Sequence, residues 1–206
     1  MKKQIIFYSQ GLRYEVELGA DKTVLIGATE KAQVYLSQQE MPIQLKVDGD
    51  EVFYQYGDEV GLLKNTLSLG EVVFYLREGE TKIYDLLDLS EIQIGSHKGA
   101  LITLDAEIEL LLQKTQNQWI LTRMRGEFYK NNHLEQNDQQ LISFGDELSL
   151  GAVTIKLYPD EIWIQGPAQV GKQLTLREPS RYAFYEEYPD YHRSPRIIYR
   201  GSEDKI

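Results

Sequence analysis

The 206-residue chain contains no cysteine and only three histidines, and these shortages exclude several kinds of site. Without cysteine the chain can form neither a disulfide nor a thiolate metal centre, which is typical of a reducing compartment. His97, His133 and His192 are too far apart in sequence to indicate a zinc site by spacing. None of them lies near a serine and an acid in a nucleophile pattern. We therefore predict no metal site and no catalytic residue.

Basic residues and long hydrophobic runs are also scarce. The chain has 22 lysines and arginines against 32 acidic residues, which gives a formal net charge of −10. A surface of that sign repels a polyanion, so we predict no nucleic acid partner. No apolar run approaches the roughly 18 residues of a membrane span, and no signal peptide follows Met1. We expect a soluble region without direct membrane insertion.

What the sequence does contain is an internal repeat. Residues 67–70 and residues 148–151 both read Leu-Ser-Leu-Gly, and each copy runs into a strand-like segment. Each copy also follows, at some distance, a strand-like segment that ends in Ile-Gly, at residues 26–27 and 94–95. A repeat of this kind predicts a tandem of two related β modules.

The hydrophobic pattern predicts an all-β fold. Apolar and polar residues alternate in short runs, and turn signals interrupt the runs about every 8 to 12 residues, as in sandwiches and barrels. Only residues 107–115 resemble a helix, and we interpret them as a strand. We predict two tandem β-sandwiches, at residues 1–79 and 80–166, with a short connection that packs them as a rigid pair. An extended tail or linker then covers residues 167–206.

The second module is longer than the first between the shared landmarks. Gly27 and Gly70 are 43 residues apart, whereas Gly95 and Gly151 are 56 residues apart, so the second copy has 13 more residues. The additional residues include a polar stretch at 129–133, which we interpret as loop.

Residues 166–173 match the spacing of a phosphate-binding loop, Gly-x-x-x-x-Gly-Lys. Such a loop needs a hydroxyl after the lysine and a helix whose N-terminus faces the phosphates. Gln173 takes the hydroxyl position, and residues 174–176 continue the β pattern. We interpret the segment as a turn and predict no cofactor in this chain, with a nucleotide site as the alternative.

Two pairs of acids, Asp58-Glu59 and Asp146-Glu147, each follow a glycine. Paired carboxylates can perform acid–base chemistry in a cleft. Gly-Asp is also a turn former whose side chain bonds its own backbone, and we favour that interpretation. The sequence thus gives no support for an enzyme.

A polar loop at residues 95–99 directly follows a predicted strand and carries one lysine. Its backbone could form an anion nest, although a solvated loop would have the same composition. The longer second module adds further cations nearby in sequence. The candidate partner-binding residues are Ser96, His97, Lys98, Arg123, Arg125 and Lys130.

The tail contains a segment, residues 191–200, with three arginines and no acid. Its aromatic and isoleucine content is high for a disordered segment, so a docking strand and a plain linker are equally supported. The candidate motif in this segment comprises Tyr191, His192, Arg193, Ser194, Pro195 and Arg196.

The two β modules, each with an Ile-Gly strand, and the Phe-Gly-Asp-Glu-Leu-Ser-Leu-Gly string at residues 144–151 resemble forkhead-associated (FHA) domains. The string Tyr-His-Arg-Ser-Pro-Arg-Ile-Ile at residues 191–198 resembles the segment that follows the tandem FHA domains of the EssC family. Members of that family are membrane-bound FtsK/SpoIIIE-type ATPases of type VII secretion in Gram-positive bacteria. The resemblance implies an N-terminal cytoplasmic region with two FHA-like sandwiches, whose tail leads toward the membrane.

The same resemblance implies a role. A non-catalytic scaffold at the cytoplasmic face of the membrane would dock other secretion components, for example an EssB-type pseudokinase-like membrane protein. ATP and Mg would act in downstream domains of the family, and homo-oligomers would form through the full-length protein.

FHA domains that read phosphothreonine place an arginine after the glycine of the Ile-Gly strand, and this chain departs from that pattern. Ala28 and Ser96 stand at those positions, and Asp105 and Glu107 lie near the expected Ser-x-x-His. A phosphate needs charge-assisted donors, and one charge at about 4 Å contributes roughly 4 kcal/mol at an effective dielectric near 20. We predict no phosphothreonine recognition, and the alternative is a phosphothreonine reader that uses unconventional ligand residues from the candidate loops.

Overall fold

The computed structural model describes residues 2–177, and each regular element in that part of the chain is a β-strand. Nine strands form module 1: β1 (Lys3–Ser9), β2 (Leu12–Leu18), β3 (Thr23–Gly27), β4 (Val34–Tyr35), β5 (Ile43–Asp48), β6 (Glu51–Tyr56), β7 (Glu59–Leu63), β8 (Thr66–Leu69) and β9 (Val72–Arg77). Thirteen form module 2: β10 (Lys82–Asp85), β11 (Glu91–Gly95), β12 (Ile102–Leu104), β13 (Glu109–Thr115), β14 (Gln118–Arg125), β15 (Tyr129–Lys130), β16 (His133–Leu134), β17 (Gln139–Ile142), β18 (Glu147–Leu150), β19 (Val153–Leu157), β20 (Glu161–Gln165), β21 (Ala168–Val170) and β22 (Thr175–Arg177). The predicted all-β fold is confirmed, and so is the strand predicted within residues 107–115, which is β13.

Module 1 is a sandwich of two sheets. One sheet has the order β4-β3-β5-β6-β7, and it packs on the strands β2-β1-β9-β8. Strand β5 illustrates why these residues form strands: Ile43, Leu45 and Val47 point into the core, whereas Gln44 and Lys46 point to solvent. Alternation with period two places one apolar face of each strand against the other sheet.

Module 2 is a second sandwich with its own core. A six-stranded sheet, β17-β14-β13-β11-β12-β21, packs against β10, β20, β19 and β18. Trp119 and Leu121 on β14 and Ile155 on β19 are fully buried between the two layers. The two sandwiches thus have separate hydrophobic cores.

One sheet runs through both modules. Its eleven strands have the order β22-β10-β20-β19-β18-β15-β16-β2-β1-β9-β8. The crossing point is the contact between β16 of module 2 and β2 of module 1, where His133 is the Cα partner of Leu12. Backbone hydrogen bonds flank this pair, from Arg13 N to Asn132 O at 2.8 Å and from Leu134 N to Gly11 O at 2.8 Å.

The crossing strand comes from the additional residues of module 2, and our interpretation of residues 129–133 as loop was wrong. These residues form most of a hairpin, β15–β16, whose turn is Asn131-Asn132. Both asparagines have positive φ, 51° and 72°, as the type I′ turns of tight hairpins require. The sequence signal was weak because each strand has only two residues.

The predicted tail also begins too early. Residues 168–170 form β21, which pairs antiparallel with β12, and residues 175–177 form β22, which pairs with β10. Leu174, between these strands, is 6% exposed and joins the core of module 2. Both strands cover sheet edges that would otherwise be open, which explains why short segments of low hydrophobicity are ordered here. Residues 178–206, which include the candidate motif at 191–196, lie outside the described residues.

Two negative findings concern residues 2–177. That part of the chain has no helix that could cross a membrane. It also has no group of three or more histidines and acids that could hold a metal ion.

Candidate functional site

Four of the six predicted site residues meet at one end of module 2. Gly95 ends β11, and the loop after it exposes Ser96, His97 and Lys98. Arg125, at the end of β14, donates a hydrogen bond from Nη2 to Ser96 Oγ at 3.4 Å. We call Ser96, His97, Lys98 and Arg125 the apical cluster.

A carboxylate from β13 lies within the apical cluster. Glu109 Oε1 is 3.8 Å from Arg125 Nη2 and 3.6 Å from His97 Nδ1. Lys98 is exposed and has no ion pair within the described part of the chain. The cluster therefore offers a hydroxyl and an exposed lysine to a ligand, but its guanidinium already faces an acid of the same module.

The other two candidates, Arg123 and Lys130, are paired elsewhere in module 2. Arg123 donates from Nε and Nη2 to Asp138 Oδ1, at 3.0 and 2.6 Å, and from Nη1 to the carbonyl of Glu135 at 2.8 Å. Lys130 Nζ donates to Gln140 Oε1 and lies 3.7 Å from Glu135 Oε2. Both cations hold the segment between β16 and β17, so they have little capacity left for a ligand.

The pKa of Glu135 reflects this network. Burial acts to raise it, but hydrogen bonds from the Asn137 backbone and the Gln140 side chain, together with the charge of Lys130, lower it overall. The carboxylate thus stays ionised at neutral pH and keeps Lys130 in place.

The turn interpretation of the Gly-Asp pair holds for Asp146. Asp146 Oδ2 accepts a hydrogen bond from the backbone N of Ser143 at 2.9 Å, as expected for a turn. Glu147 instead begins β18, and its Oε1 lies 3.2 Å from Arg13 Nη1 of module 1. The alternative of a phosphate loop at residues 166–173 lacks its helix in the structure, because the chain there continues into β21 and β22.

Sequence reasoning missed a polar junction between the modules. Arg13 and Arg77 of module 1 are each only 3% exposed at the side chain. Both donate to Thr154 Oγ1 on β19, at 3.3 Å from Arg13 Nη2 and 3.0 Å from Arg77 Nη1. Glu15 pairs with both arginines, at 3.1 and 2.5 Å. Burial lowers the pKa of Arg77, and the Glu15 carboxylate opposes that effect.

The junction continues around a cavity of about 480 Å³ between the modules. Gln4 and Gln165 meet beside it, with 3.2 Å from Gln165 Nε2 to Gln4 Oε1. On another side, the Tyr8 hydroxyl donates to the Gly151 carbonyl at 2.6 Å, and its ring lies 4.5 Å from that of Tyr129. Cations and carboxylates occur here in near balance, so the arrangement joins the modules and is not a strongly charged ligand site.

A sequence signal for this junction exists. Arg13 and Glu15 alternate with apolar residues on β2, so they mark the outer face of module 1, and an isolated sandwich would expose them. Only the packing of the second module explains why Arg13 is buried on that face.

The sequence and the fold of the chain were compared with those of known proteins. No family model matches the chain. The chain is 25% identical over 223 residues to the type VII secretion system protein EssC of Staphylococcus aureus (strain MRSA252), an alignment that covers all of this chain and 15% of that protein. A solved structure, the N-terminal FHA domain from EssC, a component of the bacterial type VII secretion apparatus, matches with a TM-score of 0.73 at 17% identity. The match covers 86% of this chain and 98% of the solved one.

The chain has the FHA fold. The predicted resemblance to the N-terminal FHA region of EssC-type proteins is confirmed. This stretch corresponds to only a small part of the curated relative, so the activity and partners of the whole protein are treated below as proposals.

Proposed function

We propose that this chain is a non-catalytic docking region of a type VII secretion apparatus, which binds other secretion components at the cytoplasmic face of the membrane without reading phosphothreonine. The matched relatives support an interaction module of that apparatus. An EssB-type pseudokinase-like membrane protein is the partner that we propose. We further propose that the chain needs no cofactor and that self-association occurs through the full-length protein.

The observation that carries the proposal is the internal neutralisation of the candidate cations. Arg125 faces Glu109, Arg123 is bound to Asp138, and Lys130 is paired with Glu135. A phosphate is close to a dianion and binds where several charge-assisted donors are available. Here each arginine would first have to leave an acid, and the displaced carboxylate would then repel the phosphate.

The test is a capture experiment with the complete 206-residue chain as bait. Detergent-solubilised membranes of the producing bacterium are applied before and after phosphatase treatment, with an unrelated acidic β-sandwich as control bait. We expect the EssB-type component to be enriched equally in both extracts. Recovery of no secretion component, or recovery that phosphatase abolishes, would contradict the proposal.

A second function, phosphothreonine reading with unconventional residues, is favoured by one observation. Arg125 Nη2 and Ser96 Oγ lie 3.4 Å apart beside the exposed Lys98, which places a hydroxyl and two cations around one loop. Calorimetric titration with a phosphothreonine peptide library distinguishes the two functions. Binding that needs the phosphate and disappears in Arg125→Ala would establish this second function in place of the first.

A further inference from the structure

Strands β8 and β18 are repeat equivalents, but only one of them has both edges covered. Both contain the repeated Leu-Ser-Leu, at residues 67–69 and 148–150. In module 2, β15 pairs antiparallel with β18, so that Tyr129 lies opposite Ser149. Module 1 lacks the additional hairpin, and β8 is the last strand of the eleven-stranded sheet. Within residues 2–177 its outer edge therefore has no partner strand.

The backbone groups at this open edge can be identified. Leu76 N on β9 donates to Asn65 O at 3.0 Å, so residue 65 directs its backbone groups toward β9. In an antiparallel pair the direction alternates from residue to residue. Thr66 and Ser68 consequently direct their N–H and C=O groups to the open edge, where none of the described residues bonds them.

Beside this edge lies a cleft between the modules, with a volume of about 580 Å³. Thr66 and Tyr75 line it from module 1, and Ala106 and Pro167 contribute apolar surface from module 2. Its charged lining residues are all acidic: Asp105, Glu107 and Glu127. The three are exposed, and none of them has an ion pair within the described part of the chain.

We propose that β8 and this acidic cleft bind an extended, positively charged peptide segment of a partner protein by strand addition. The inference rests on the proposed docking function and names the surface and the chemistry of the partner. Main-chain hydrogen bonds to Thr66 and Ser68 would give affinity, as in other cases of strand addition to a sheet edge. Alternate side chains of the added strand would face the cleft, so lysines or arginines there would meet the three carboxylates.

Charge is the reason to choose this occupant. A second copy of the chain that paired β8 with β8 would bring two sets of three carboxylates together, and like charges at an interface oppose association. A basic segment would instead bring positive charges to the three carboxylates of the cleft, so the interaction would be attractive. The repeat supplies the precedent for strand pairing, because Lys130 of β15 itself lies opposite Leu148 on β18.

The test uses the complete chain and a fluorescein-labelled ten-residue peptide that alternates lysine with valine. A matched peptide that alternates glutamate with valine is the control. Fluorescence anisotropy should show saturable binding of the lysine peptide and none of the glutamate peptide. Since the attraction is electrostatic at an exposed surface, affinity should fall as salt is raised.

Two sets of variants locate the site. Ser68→Pro removes an edge N–H without breaking a bond to β9, whereas Ser68→Ala keeps that group and is its control. The triple variant Asp105→Asn, Glu107→Gln, Glu127→Gln neutralises the cleft. Its control neutralises Asp48, Asp50 and Glu51, which surround the turn of the β5–β6 hairpin, by the same number of charges. We expect Ser68→Pro and the cleft triple to weaken binding about tenfold or more, and the two controls to change it less than twofold.

Other results would overturn the inference. Equal loss in both triple variants would mean non-specific attraction to an acidic protein, and unchanged binding in Ser68→Pro would exclude strand addition. A concentration-dependent dimer that Ser68→Pro abolishes would assign the edge to a second copy. Tighter peptide binding after Arg193→Gln, Arg196→Gln and Arg200→Gln would assign it to this chain's own segment. If the membrane capture succeeds while the lysine peptide does not bind, the inference about β8 and the acidic cleft fails and the proposed docking function stands.

Discussion

The two modules fill the same places in their sheets with strands taken from different points of the chain. In module 1, β9 is flanked by β1, and β2 lies beyond it. In module 2, β19 is flanked by β20, which follows it in sequence, and the N-terminal strand β10 lies beyond. These four strand pairs, β2–β1 and β1–β9 in module 1 and β10–β20 and β20–β19 in module 2, are all antiparallel. The sandwich thus requires a strand of the correct direction at each position in the sheet. It does not require that strand to come from the same point in the chain.

The second difference is the β15–β16 hairpin, which module 1 lacks. In module 2 it covers the edge of β18 and reaches β2 of module 1. The same thirteen additional residues that distinguish the modules therefore also connect them, and they leave β8 as the open edge. We expect the pair to unfold as one unit.

The strongest test of that expectation mutates one core and observes the other. Both tryptophans, Trp119 and Trp163, belong to module 2, but Trp163 also lines the cavity beside module 1. In a Trp163→Phe background, the fluorescence of Trp119 therefore reports on the core of module 2. Phe74→Ala in module 1 should lower the unfolding free energy by about 3–5 kcal/mol because it leaves a cavity in a fully buried site. We expect the tryptophan transition in urea to shift together with far-UV circular dichroism. Leu121→Ala in module 2 is the matched control, and a tryptophan midpoint that ignores Phe74→Ala would show independent modules.

The junction should contribute the next largest effect. Arg13→Ala takes one of its two arginine partners from Glu15 and removes the contact of Arg13 with Glu147 and Thr154, and loss of one partner of a buried polar contact costs about 1–3 kcal/mol. Arg125→Ala removes an exposed arginine and should change stability by less than about 0.5 kcal/mol. A double-mutant cycle of Arg13→Ala with Glu147→Ala, followed by urea denaturation, measures the coupling across the modules. A coupling energy of zero would mean that the contact does not join them.

The hairpin turn predicts a smaller effect. Asn132 has a φ of 72°, a left-handed conformation that asparagine and glycine tolerate but that costs a β-branched residue roughly 1–2 kcal/mol. Asn132→Val should therefore lower the free energy of unfolding by about that amount, whereas Asn132→Gly should preserve it. The urea midpoints of the two variants provide the comparison. Equal stability of both would indicate that the turn is dispensable for the junction.

The smallest effect concerns Tyr8 and pH. Burial raises the pKa of Tyr8, and of Tyr75 and Tyr129 near it, above the usual value. A raised pKa in the folded state gives stability that is complete below about pH 10, where the unfolded tyrosine titrates, and is lost above it. Tyr8→Phe should cost about 1 kcal/mol at pH 8, for one lost hydrogen bond, and should flatten the decline that begins near pH 10. An unchanged slope would mean that Tyr8 does not titrate with folding.

Much of the fold was predictable because it follows from local periodicity. Alternation in segments such as β5 and β14 identifies strands by their own residues, and the repeated Leu-Ser-Leu-Gly reveals the duplication. Two-residue strands carry no periodic signal, so the β15–β16 hairpin was interpreted as loop. The prediction of an extended tail from residue 167 misses β21 and β22 for a related reason. These segments are strands because they pair with β12 and β10, and their own hydrophobic pattern does not indicate it.

The site was predictable only in part. The sequence places Ser96 and Arg125 in separate segments, and the antiparallel pairing of β11, β13 and β14 brings them together. It cannot reveal that Arg123 and Lys130 are paired with acids that follow them in the chain. The sequence marks the outer face of β2 that carries Arg13, but it does not show the polar junction on that face, because whether Arg13 faces water or Thr154 depends on a module more than a hundred residues away.

The single ladder that crosses both modules also determines how the pair would respond to mechanical load. Most steps along it involve several consecutive residue pairs, but the step from β16 to β2 has one pair and two flanking backbone bonds. A force that separates the modules would therefore break the pairing of β16 with β2 first, before either sandwich unfolds. The same force would also have to break the hydrogen bond from Arg13 to Thr154, which lies beside this step.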